Sequence, residues 1–150
     1  MKSLLAAAVL AVSLLVVAAP VIAAPHHATT TRTATLEVKS SRYGKILFDG
    51  AGRALYSFAR DRTGGSVCSA ACAKAWPPLL TAAKPHVVTG GDPMLLGTIK
   101  RADGTLQVTY HGHPLYYFFK DTKPGQITCQ NVSNFGGLWL VVAKSGAPVK

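Results

Sequence analysis

Laid against itself at an offset of 60 residues, the second half of this chain repeats the first. Leu55-Tyr56-Ser57-Phe58-Ala59-Arg60-Asp61 falls on Leu115-Tyr116-Tyr117-Phe118-Phe119-Lys120-Asp121, Gly52 on Gly112 and Gly65 on Gly125. Trp76 and Trp139 correspond after a small insertion. A unit this short has one apolar face and too little core to stand alone. Two copies are therefore expected to pack on each other as one domain.

Each copy reads as strand, glycine turn, strand, loop, and then an element anchored by tryptophan. Alternation and β-branched or aromatic content predict strands over Thr35–Lys39, Lys45–Asp49, Ala54–Ala59, Leu95–Arg101, Thr105–Tyr110, Pro114–Phe119 and Leu138–Ala143. Ser66–Trp76 is the exception. Its four alanines favour helix, Ser66 is a suitable N-cap, and Pro77-Pro78 ends it. Residues 82–93 are rich in proline and glycine and read as the linker, with a short strand at His86–Thr89. The fold expected is all-β with one short α-helix, a duplicated β-meander packed as a single domain. It spans residues 34–146, with copy one at about 34–81 and copy two at about 94–143.

What precedes the repeats is addressed to export. Lys2, the apolar run Leu4–Ala19, Pro20 and the small-residue exit Val21-Ile22-Ala23 make residues 1–23 a signal peptide, with 24–33 a polar, disordered leader. The alternative is an uncleaved anchor, since Leu4–Ala24 is long enough to span a bilayer. No cysteine follows the apolar run to accept a lipid. A secreted, periplasmic or cell-envelope location follows. Sixteen basic residues against six acidic ones would draw an exported chain to anionic envelope surfaces. The cations are scattered, and no basic-aromatic pattern for specific nucleic-acid binding occurs.

The two Leu-Tyr-x-Phe-x-x-Asp segments are joined by Cys68-x-x-x-Cys72-x-x-x-Trp76-Pro77-Pro78-Leu79 and Asn134-Phe135-Gly136-Gly137-Leu138-Trp139. Together they resemble the bacterial secreted repeat of unknown function, a family also described as predicted lipoproteins with a conserved Tyr-x-(Phe/Trp/Tyr)-x-x-Asp motif. The resemblance covers about Tyr43 to Val142. It implies a small, exported, β-rich envelope protein and carries no assigned activity.

The candidate residues divide by role. Tyr56, Phe58, Tyr116 and Phe118 share a strand face and are expected to form a common aromatic core. Asp61 and Asp121, where each strand meets a loop, are expected to accept backbone N–H bonds and fix the turn. Tyr117 and Phe119, on the second face of copy two, are candidates for a small apolar ligand. His111 and His113, two apart at a hairpin tip, could face one side, but two imidazoles do not complete a metal site. Residues four apart on a helix bring Cα atoms within disulfide range, so Cys68 and Cys72 are expected to pair. That leaves Cys129 a thiol; the alternative is a bridge from Cys129 to one of the two. No phosphate loop, nucleophile elbow or haem attachment motif is present. The reading is a non-enzymatic binding or structural module without a cofactor. The alternative is a redox or small-apolar-ligand accessory protein.

Overall fold

A computed structural model describes residues 32–150. The expected signal segment, and the leader except residues 32 and 33, lie outside the described residues. Among the described residues nine strands form three small sheets, accompanied by one short α-helix and a single 3-10 turn at Pro93–Leu95.

β1 (Thr35–Ser41) and β2 (Gly44–Asp49) make an antiparallel hairpin, and β4 (His86–Thr89) runs parallel along the other edge of β1. β5 (Leu96–Lys100), β6 (Leu106–Tyr110) and β7 (His113–Pro114) form the corresponding meander of copy two. The third sheet joins β3 (Tyr56–Phe58) to β9 (Gly137–Val141), and β9 to β8 (Val132–Asn134). The turns at Gly52 and Gly112 repeat in conformation as well as in sequence. Both glycines have φ +79°, a region costly for any residue with a Cβ.

The two copies are interlaced. β3 of copy one takes as its neighbour the tryptophan strand of copy two, with Tyr56 opposite Val141 and Phe58 opposite Trp139. The reciprocal exchange occurs on the other side. The Tyr117 N–H donates to the Pro77 carbonyl (2.8 Å) and the Phe119 N–H to the Ala75 carbonyl (3.1 Å). On the local two-fold between them, Tyr56 and Tyr116 exchange both backbone bonds, each 2.9 Å long. Further out, the Leu47 N–H reaches the Val142 carbonyl, and the Val108 N–H reaches that of Leu79. Each tryptophan segment thus completes the hydrogen bonding of the other copy. A copy on its own would leave those backbone groups unpaired.

Two apolar clusters fill the interior. One holds Tyr56, Phe58, Trp76, Tyr116, Phe118 and Trp139; the other holds Leu36, Leu47, Leu55, Leu79, Val108, Leu115 and Val142. Full burial of each aliphatic side chain of the second cluster contributes about 1.5–3 kcal/mol.

Three local expectations are corrected. The helix α1 covers only Ala71–Ala75. Ser66 is not its N-cap, because its hydroxyl is bonded to Tyr116 Oη, and the Val67 N–H is taken by the Asp61 carboxylate. The strand expected over Pro114–Phe119 shrinks, since Tyr116 pairs singly with two different segments, at Tyr56 and at Pro78. β8 falls in a stretch given no strand from the sequence.

Candidate functional site

The motif tyrosines and aspartates meet across the copies. Tyr56 Oη donates to Asp121 Oδ2 and Tyr116 Oη donates to Asp61 Oδ2, both at 2.5 Å. Strand pairing at the local two-fold sets this partnership. It turns each tyrosine away from the aspartate of its own motif and onto the other loop. The second carboxylate oxygen then holds that loop. Asp61 Oδ1 accepts from the Val67 N–H at 2.8 Å, and Asp121 Oδ1 accepts from the Thr128 N–H and hydroxyl at 3.1 and 2.5 Å. The aspartates therefore fix their turns and also clamp the partner copy.

The environment suits a fixed clamp better than a proton relay. Both tyrosines are completely buried, and Asp121 is 2% exposed. Burial pushes both phenols far above their ordinary range, and the facing carboxylates add to the shift. Burial likewise raises the Asp61 carboxyl, although the Tyr116 hydroxyl and the Val67 N–H work against it.

Inside the clamp the rings stack as a series. Phe58 lies on Trp139 (centroids 4.2 Å, planes 9° apart), Trp139 on Trp76 (3.9 Å, 3°), and Trp76 against Phe118 (4.7 Å, 40°). Each tyrosine meets the tryptophan of its own copy edge-on, Tyr56 with Trp76 and Tyr116 with Trp139. Gly137 permits this closeness, because a Cβ there would sit 2.8 Å from the Phe58 ring. The symmetry fails at one atom. Trp139 Nε1 donates to the Asn134 carbonyl at 3.1 Å, an acceptor supplied by the β8–β9 hairpin. Copy one has α1 at that place, and the buried Trp76 Nε1 has no hydrogen-bond partner among the described residues. Such an orphaned donor costs about 1–3 kcal/mol.

The other candidates disperse. The Tyr117 hydroxyl donates to Asp49 Oδ2 at 2.9 Å, and the Arg53 guanidinium covers its ring at 3.8 Å. Burial and Asp49 raise its phenol far above the usual range. Tyr117 lines an open cleft with Arg32, Asp49 and Leu79, whereas Phe119 packs edge-on to Phe118 and is half exposed. The two do not form a common apolar pocket. His111 is exposed, in a left-handed turn at φ 50°, and His113 is half-buried. No group of three His, Cys, Asp or Glu among the described residues could hold a metal ion.

Cys68 and Cys72 form a disulfide with Cα atoms 5.2 Å apart, but only Cys72 is helical. Both sulfurs pack in the aromatic cluster. Cys129 is free and half-buried, and burial raises its thiol.

Sequence reasoning missed the arginines at the hairpin tips. Arg101 Nη1 bonds Ser66 Oγ (2.9 Å) and Gln107 Oε1 (2.5 Å), and Nη2 bonds the Cys68 carbonyl (2.5 Å). Arg42, on the first hairpin, bonds the Ile127 carbonyl at 2.6 Å. Each hairpin thereby reaches the aspartate loop of the other copy. The only prior hint was an arginine near both turns.

No curated protein and no solved structure matches the chain. The profile of one family does, over residues 37–80 and 97–143, more than half of the sequence and one match for each interlaced copy. The chain belongs to the family described as secreted repeat of unknown function.

Proposed function

We propose that the protein is a non-enzymatic binding module of the cell envelope or extracellular space, which associates with anionic surfaces through its basic exterior. One observation carries this reading: of the six acidic residues only Asp92 and Asp103 are exposed, while most of the basic ones face solvent. Asp49, Asp61, Asp92, Asp103 and Asp121 each accept backbone N–H bonds in turns or loops, and Glu37 pairs with Lys39. Lys45, Arg62, Lys74, Lys84, Lys100, Lys120 and Lys123 are exposed. Such an imbalance gives a positive field that favours anionic polymers and head groups and weakens with salt.

The motif residues support the same reading from the other side. They are consumed by the clamp, which makes them scaffold and leaves recognition to the surface. The family's description as secreted fits an exported chain. The test is co-sedimentation with vesicles. Binding to phosphatidylglycerol-containing vesicles that fades with added salt, and none to pure phosphatidylcholine, is expected. Equal binding to both, or none to either, contradicts the reading.

A further inference from the structure

We infer that Arg42 marks a binding site for a phosphate group, in a cleft between the β1–β2 hairpin and the aspartate loop of copy two. This inference deepens the proposed function and rests on it. The cleft has a volume of about 620 Å³ and is walled by Ser40, Ser41, Arg42, Gln126 and Thr128, among others, with no carboxylate in its lining. The carboxylate behind this wall is Asp121, whose oxygens are already taken by the Tyr56 hydroxyl and by Thr128.

The duplication supplies the comparison. Arg101, at the tip of the second hairpin, is spent on the fold. Its side chain is 8% exposed and its terminal nitrogens bond Ser66, Gln107 and the Cys68 carbonyl. Arg42 makes the corresponding reach with one nitrogen, to the Ile127 carbonyl, and is exposed. Its remaining N–H groups keep the fork geometry that suits an oxyanion.

One side-chain donor free of partners among the described residues stands beside it. Gln126 Oε1 accepts from the Thr122 and Lys123 N–H groups, an arrangement that orients its amide and leaves Nε2 to donate elsewhere. Lys39 Nζ lies beside Gly52, whose carbonyl accepts from the Gly125 N–H on the cleft wall. Lys39 also pairs with Glu37, so its charge is partly offset. The loop is anchored through Asp121 and Tyr56, so Gln126 is held in place before any ligand arrives.

A phosphate could be free or part of an anionic lipid head group, and two measurements separate these sources. In the first, the intact protein is titrated with inorganic phosphate while its amide and arginine Nε–H signals are followed by NMR. Saturable shifts centred on Ser40, Arg42 and Gln126 are expected, abolished in Arg42→Gln and retained in Lys74→Gln. In the second, both variants are co-sedimented with phosphatidylglycerol vesicles. The loss of a charge-assisted bond should weaken Arg42→Gln about tenfold relative to Lys74→Gln. Phosphate shifts spread evenly over the basic surface, or two variants that sediment alike, would overturn the site even if the parent still bound vesicles. Saturable shifts at Arg42 without vesicle binding by the parent would uphold the site as one for free phosphate and contradict the surface reading.

Discussion

Tyr56 donates its phenol hydrogen to Asp121, 65 residues further along the chain, and not to Asp61 of its own motif. Tyr116 makes the mirror choice across 55 residues. The repeated Tyr-x-Phe-x-x-Asp is therefore one half of a joint. Its tyrosine and aspartate serve different contacts, each completed by the opposite copy. Both tyrosines are sealed from solvent inside that joint.

Alkaline titration should display that seal. Tyr56, Tyr116 and Tyr117 all have phenols raised by burial. A phenol whose folded pKa exceeds its unfolded value of about 10 stabilises the fold fully below that pH and loses the contribution as pH rises above it. Three such groups steepen the fall to about 4 kcal/mol per pH unit. The tyrosinate absorbance of these three should appear in a cooperative step that coincides with unfolding. Smooth, reversible ionisation of the three with the fold intact would contradict the burial.

The aromatic stack should be energetically symmetric. Phe58 lies on Trp139 and Phe118 against Trp76, each contact made across copies. Truncating either phenylalanine to alanine is expected to cost about 3–5 kcal/mol in denaturant titrations. Variants that melt like the parent would show that the stack contributes little.

The thiol inventory should read one per chain. Folded, unreduced protein should react with a thiol reagent at Cys129 alone, and slowly, because burial raises that thiol. Replacing Cys68 and Cys72 by serine should cost about 2 kcal/mol, the modest entropic share of so short a loop. Peptide mapping that linked Cys129 to the Cys68/Cys72 peptide would contradict the assignment.

The sequence made the repeat, the strand-rich class, the disulfide and the shared aromatic face legible, because each rests on local spacing. The interlacing was hidden. Nothing in Leu138-Trp139-Leu140 says whether it pairs with Tyr116-Tyr117-Phe118 beside it in copy two or with Tyr56-Ser57-Phe58 in copy one, since both strands offer the same pattern. The tyrosine–aspartate partnership follows from that choice and was hidden with it. The helix came out short for a related reason. Alanine propensity over Ser66–Trp76 was overridden where Asp61 and Tyr116 drew Val67 and Ser66 into long-range bonds. The solvent-facing arginine at position 42 carries no local periodicity, so only the structure distinguishes it from Arg101.

The motif clamps one copy to the other, and a double-mutant cycle measures that coupling directly. Tyr56→Phe and Asp121→Asn, alone and combined, should show a coupling of about 1–3 kcal/mol in unfolding free energy. Tyr56→Phe with Asp61→Asn should be additive to within about 0.5 kcal/mol, because Tyr116 is the phenol that Asp61 holds. Strong coupling of Tyr56 to Asp61, with none to Asp121, would place the contact inside each copy and contradict the interlaced architecture.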